Sequence, residues 1–314
     1  MTGLKKELGL ISVFSIAAGA MISSGLFILP GLAYFKSGPA VILAYLLAGI
    51  LVLPSMFSKA ELATAMPKSG GTYFFINRSM GGGFGTIAGI SAWFSIAFKS
   101  AFALVGIGAF ASIIYPEVTI FQIKLIAVVF CVFFTIINLR STKHAGHLQV
   151  YMVMSLLAFL LYYVIKGIPH IDNRHFDVFM KGDLKTLFMT SGLIFVSYGG
   201  LTKIASVAEE VTNPSRNIPL GMILAFIVVT IAYVVVVFVT VGTLGDKLLL
   251  PAPKFYSLTP ISDGAAIFAG KPGVYVLSIA ALLAFFSTAN AGIMAASRNP
   301  MAMSQDNLLP SFFG

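Results

Sequence analysis

Charge is what this sequence has least of. Only 10% of its 314 residues are Asp, Glu, Lys or Arg, against about 25% in soluble domains. Apolar residues make up 58% and mean hydropathy is +0.95. That balance excludes a water-soluble globular fold. Acidic residues are the scarcer sign, 11 against 20 Lys and Arg, for a net charge of +9. The surplus is assigned to loops flanking membrane segments. No basic run is interleaved with aromatics, so no nucleic-acid partner is expected. Cys131 is the single cysteine, which rules out an intrachain disulfide and leaves the redox compartment open. HExxH and GxSxG are both missing. The two histidines of "HAGH", His144 and His147, sit at a span end without further ligands. Neither an enzyme, a cofactor nor a metal centre is expected, beyond an alkali-cation site discussed below.

What is present is a series of long apolar runs. Several reach the roughly 20 residues that cross a bilayer as helix, and runs this long fit helices rather than a barrel's short alternating strands. The fold class is therefore an all-α polytopic membrane protein. Eight spans are expected, at residues 9–36, 39–60, 84–115, 121–139, 148–166, 186–208, 219–244 and 273–298. Residues 166–185 form the longest stretch without a span, and residues 246–271 read as a proline-rich loop. The whole chain, residues 1–314, reads as a single transmembrane domain. Basic residues before an apolar core give the N-terminus the look of a secretory signal, but the run continues past a normal signal core and cleavage is not expected. Lys and Arg divide equally between the two sides of this topology, so the positive-inside rule does not orient it.

Two of these spans carry a weak point at mid-depth. Residues 8–35 contain no charge, yet their centre reads "GAMISSGLF" (residues 19–27). The sixth span reads "LIFVSYGGLTKIASVAEEVTNP", with Ser197, Tyr198, Gly199 and Gly200 in sequence. Glycine weakens a helix by about 1 kcal/mol relative to alanine. Close helix packing by small residues is the competing explanation for either break alone. Two breaks five spans apart favour an inverted-repeat transporter, with discontinuous helices 1 and 6. Repeat one would cover residues 1–166 and an incomplete repeat two residues 185–314. Unwinding frees backbone N–H groups for an anion and carbonyls for a cation, which suits a small zwitterion or an ion-coupled substrate.

The motifs resemble the amino acid–polyamine–organocation (APC) superfamily. "GAMISSGLF" resembles its first-helix signature. "ELATAMPKSGGTYFFINRSMG" (residues 61–81) resembles its loop between helices two and three. "AEEVTNPSRNIP" (208–219) resembles its passage from helix six to seven, and "ASRNPMAMSQDNLLP" (296–310) its loop after helix eight. The order matches along the whole chain. The resemblance implies the leucine-transporter-type fold of five helices plus five inverted ones. This chain then stops after helix eight and reads as a fragment of a longer permease.

The resemblance also implies site roles. Ser23, Ser24 and Gly25 would meet a substrate carboxylate. Carbonyls near Ala20 and Ile22, with those around Ser197, would meet its ammonium, and Tyr198 would act as a gate. Gly199, Gly200 and Thr202 complete the expected substrate set. Ser23 departs from the glycine usual at its position. Ala284, Ser287 and Thr288 fall on nearly one face of the eighth span, and similar spacing forms a sodium site in relatives, with first-helix carbonyls near Gly19 and Ile22. Relatives that replace the sodium with a fifth-helix lysine have no counterpart here before Lys166.

Two lysines lie inside spans, and ionisable residues at such depth are candidates for function. Lys99 is far from either end of the third span. Lys203 follows the second break, where the competing reading is a snorkelled side chain. Glu7, Glu61, Glu117, Glu209 and Glu210 fall at span ends or beyond, so neither lysine has an intramembrane acid. The expected function is secondary active transport of amino acids by alternating access, neutral or acidic in preference to cationic. Proton coupling is favoured because Lys99 is titratable. The alternatives are sodium symport, exchange, or a non-transporting amino acid sensor on the same fold. The expected location is the plasma membrane with the N-terminus cytoplasmic.

Overall fold

The computed structural model describes residues 4–115, 117–251 and 256–313. Among them every long element is helical, and the only β-type pairings are isolated bridges, Leu8 with Val211 and Leu249 with Tyr256. Lys254, one of the residues weighed for orientation, lies outside the described residues.

Eleven α-helices follow in order: α1 Leu10–Met21, α2 Ser24–Phe27, α3 Leu29–Ser37, α4 Val41–Ala65, α5 Thr72–Met80, α6 Gly82–Ile114, α7 Ile120–Arg140, α8 Thr142–Gly167, α9 Leu184–Tyr198, α10 Pro214–Leu244 and α11 Pro260–Gln305. A tight 3-10 helix, Leu201–Glu210, continues α9 beyond Gly199 and Gly200.

Seven helical segments among the described residues are long and apolar enough to cross a membrane. The expected first span is not one of them, because its helix stops. After Met21 the backbone turns extended at Ile22 (φ −74°, ψ 102°), and α1 is left with 12 residues. The helix resumes at Ser24, breaks again at Ile28 and continues as α3 past Pro30. The apolar segment Leu29–Ala65 then joins α3 to α4 through a 3-10 turn at Gly38–Ala40.

Three loop expectations are refined. The proline-rich stretch before the last span is already helical from Pro260, where Pro fits the helix start. A bend at Gly270 (φ 57°, ψ −150°), a conformation that favours glycine, separates that turn from the long part of α11. Beyond the expected end at residue 298, α11 runs on through Pro300 to Gln305. The polar loop after the second span contains α5, which packs against α6.

The core forms where α1 lies between α8 and α10, α11 crosses α6 and α8, and α4 packs on α9 and α10. Residues 16–18 and 20–22 of the first span are fully buried. Apolar side chains outside this core stay exposed, as a lipid solvent permits. On α7, Leu125, Val128, Val129 and Val132 all face outward, and Phe134 is its one fully buried residue.

Candidate functional site

The two breaks touch. A Cβ added at Gly200 would stand 2.2 Å from the carbonyl carbon and oxygen of Ala20 and 2.5 Å from the Met21 nitrogen. A Cβ added at Gly25 would stand 2.4 Å from Ser197 Oγ. Glycine at each position lets one interrupted helix rest on the other.

The carbonyls freed by the first break find hydroxyl donors on three other helices. Tyr233 of α10 donates to the Met21 carbonyl at 2.8 Å. Thr288 of α11 donates to the Gly19 carbonyl at 2.8 Å, with the Ile22 carbonyl at 3.5 Å. Tyr45 of α4 donates to the Gly25 carbonyl. Tyr198 donates in turn to the Tyr45 carbonyl at 3.1 Å and packs edge-on against Tyr233. Buried backbone groups need such partners, so the unwound segment is held in shape by side chains. By contrast, the Ser24 and Gly25 N–H groups that open α2 have no intrahelical partner, while those of Leu26 and Phe27 donate to the Ser23 carbonyl at 3.0 Å.

A cavity of about 1130 Å³ opens beside the two breaks. Ser23, Ser24 and Gly25 line it from the first break, and Ser197, Gly199, Thr202 and Lys203 from the second. Lys99 reaches it from α6. Eight of the expected residues are thus brought to one space. Ala20, Ile22, Tyr198 and Gly200 do not line it. Ala20 and Gly200 form the contact between the breaks, Ile22 is buried in the core, and Tyr198 turns away toward Tyr45 and Phe226.

Lys59 of α4 also lines the cavity, as do Ser95, Ser206 and Asn299. Sequence reasoning missed all four. Lys59 falls at the end of the expected second span, and α4, which runs on to Ala65, brings it to the cavity. The side chains of Ser197, Asn299, Lys99 and Lys203 contain buried polar atoms with no hydrogen-bond partner among the described residues.

Gly19, Ser287 and Thr288 converge behind the first break, and none of them lines this cavity; Ala284 is fully buried one turn earlier on α11. A Cβ at Gly19 would meet Ser287 Oγ at 2.1 Å and Gln149 Nε2 at 2.3 Å. Gln149, fully buried in α8, donates to the Ser15 carbonyl and to Ser287 Oγ, both at 3.2 Å. Asn290 donates to Gln149 Oε1 at 2.9 Å, and Asn138 of α7 donates to Asn290 Oδ1 at 3.0 Å. This amide network ties α1, α7, α8 and α11 together. The signal for it was a lone Gln within the apolar fifth span.

One end of the cavity, marked by Thr72, Ser206 and Asn299, adjoins a set of ion pairs. Arg298 Nε donates to Glu210 Oε1 at 2.6 Å, with the Glu210 side chain 2% exposed. The Glu210 carbonyl accepts from the N–H groups of Glu7 and Leu8. Glu209 accepts from the Ser69 N–H at 3.2 Å and pairs with Lys68 at 3.4 Å. The segments expected to link helices two to three and six to seven therefore close on each other.

Apolar helices of spanning length, two of them interrupted and touching beside a largely apolar cavity that carries hydroxyl, amide and lysine side chains, are the build of a membrane carrier for small solutes. The chain belongs to the amino acid permease family, whose profile matches residues 8–314. It is a transporter of the APC superfamily, not an enzyme. It is 26% identical to the methylthioribose transporter of Bacillus subtilis, over 99% of this chain and 69% of that protein. It is 28% identical to the inner membrane transport protein YbaT of Escherichia coli, over 97% of this chain and 71% of that protein. The branched-chain amino acid permease BcaP of Bacillus subtilis is 25% identical, over 98% of this chain and 70% of that protein.

Proposed function

We propose that this chain carries amino acids across the plasma membrane by alternating access, as a secondary active transporter whose substrate lies between the two broken helices. The observation that carries this reading is the contact of Gly200 with Ala20 and of Gly25 with Ser197 at the edge of one cavity. Counting α1 to α3 as one interrupted span and α4 as the next gives eight spans, with breaks in the first and the sixth. In this arrangement the two five-helix units, residues 1–166 and the incomplete 185–314, are related by inversion. Ser23, Ser24 and Gly25 hold the substrate carboxylate. Ser197 and Thr202 supply oxygens to its ammonium. The name of BcaP, a branched-chain amino acid permease, supports an amino acid as cargo. The N-terminus is cytoplasmic in this reading, as is the ion-pair seal around Glu210.

Coupling to protons fits the second polar cluster better than coupling to sodium. The Gly19 carbonyl already accepts from Thr288, and Ser287 Oγ accepts from the Gln149 amide. Oxygens committed to these donors are poor free ligands for a hard cation. Sodium symport remains the second reading, because Thr288 does lie against both the Gly19 and Ile22 carbonyls. Uptake of labelled amino acids into proteoliposomes, with pH and Na⁺ gradients imposed separately, tests both. Saturable uptake driven by the pH gradient is expected. Uptake that requires Na⁺ overturns the coupling, and binding without flux makes the protein a sensor.

A further inference from the structure

Among the described residues the cavity is lined by three lysines, Lys59, Lys99 and Lys203, and by no Asp or Glu. The side-chain nitrogens of Lys99 and Lys203 are shielded from solvent and have no hydrogen-bond partner among the described residues. Both lysines line the same cavity, and neither has a counter-charge beside it among the described residues. Lys203 cannot escape by extending. Its residue is 5% exposed, and its Nζ is held at the crossing of α6 and α11, where a Cβ on Gly292 would stand 3.2 Å away and would meet Ser100 Oγ at 1.8 Å. Buried cations left without a counter-charge are strongly disfavoured. The carboxylates at the sealed end are already engaged: Glu210 by Arg298, Glu209 by Lys68 and Ser69, Asp306 by Tyr73, Asn77 and Arg78.

We propose that the missing counter-charge arrives with the substrate: the cavity recognises an amino acid whose side chain ends in an acidic group, and that group binds between Lys99 and Lys203. Nothing in the names of the relatives assigns this substrate class. The proposal rests on the reading of the chain as an amino acid carrier and names which amino acids it prefers. Ser197 Oγ and the Asn299 side-chain amide, both buried and unpartnered, supply further polar contacts. A free inorganic anion could offer the same negative charge, and the test separates the two sources.

The experiment compares L-glutamate and L-aspartate with their neutral isosteres L-glutamine and L-asparagine, by competition for uptake and by binding to the purified full chain. The acidic members are expected to win by about tenfold or more, because a site built around a charged partner rejects the analogue that lacks it. Lys99→Met and Lys203→Met are each expected to reduce the glutamate-to-glutamine preference about tenfold, while Lys203→Arg retains it. Replacing chloride by gluconate leaves the wild-type preference unchanged. Equal or better handling of the amides by the wild type overturns the proposal, whether or not the methionine variants insert. So does uptake of glutamine that depends on chloride, which would place a free anion between the lysines. Transport of neutral amino acids alone leaves the carrier reading standing and removes only this inference. A protein that binds and moves no amino acid removes both.

Discussion

The contact between the two breaks makes Gly200→Ala a sharp perturbation. Gly200 has φ −66° and ψ −30°, a conformation any residue adopts, so alanine is not objectionable on backbone grounds. The only obstacle is space. Its Cβ would stand 2.2 Å from the Ala20 carbonyl, whereas ordinary contact begins near 3.4 Å. The broken segments must separate by about 1.2 Å (3.4 − 2.2) to admit one methyl group. Forcing a methyl into a packed site costs about 1–3 kcal/mol, and the gain in helix propensity returns up to about 1 kcal/mol. We expect a net loss of stability of up to about 3 kcal/mol, seen as a lower melting temperature in detergent. Substrate affinity should fall by tenfold or more, because the residues that hold the substrate sit on the segments pushed apart. Gly192→Ala is the control. Gly192 is an exposed helical residue of α9 with nothing within 4 Å of an added Cβ, so its affinity should be unchanged. Wild-type affinity in Gly200→Ala refutes the claim that the breaks form one site.

Other perturbations address the parts around that site. Arg298→Ala strands the buried Glu210 carboxylate and should cost about 3–5 kcal/mol in melting measurements, with most of it recovered by Arg298→Met combined with Glu210→Gln. Gln149→Leu removes the amide donor to the Ser15 carbonyl and Ser287 Oγ and leaves the Asn290 amide donating only to the Ala145 carbonyl, and should destabilise by about 1–3 kcal/mol. An unchanged melting temperature would mean that the amide network does not brace α1. Thr288→Val removes the donor to the Gly19 carbonyl and should lower stability by about 0.5–1.5 kcal/mol without altering the response of uptake to Na⁺. A sodium stimulation lost in that variant would favour sodium symport.

Local composition announced the breaks but not which way their side chains face. Ser23, Ser24 and Gly199, Gly200 mark weak helix wherever they occur in an apolar run, and both interruptions formed there. Ser197 and Tyr198 are neighbours in sequence, yet Ser197 lines the cavity and Tyr198 turns into the core to donate to Tyr45. Helix rotation decides that, and rotation is set by packing against α4 and α10. The same limit explains Lys59, whose place in the cavity depends on how far α4 continues. Gln149 was readable as a polar residue in an apolar span, but its partners Ser15, Ser287 and Asn290 lie on other helices. The first span was recognisable by hydropathy, although its breaks leave no continuous helix of crossing length.

The central claim is that substrate occupies the cavity between the two breaks, and thiol protection tests it most directly. In a Cys131→Ala background, Thr202→Cys places a thiol in the cavity lining, and Val129→Cys places one on the exposed face of α7. Reaction with a membrane-permeant maleimide is followed with and without amino acid. At a concentration tenfold above Kd, the account predicts that labelling at residue 202 slows about tenfold, as mass action requires, while labelling at residue 129 is unchanged. Equal rates at residue 202 with and without an amino acid that the protein transports would contradict it.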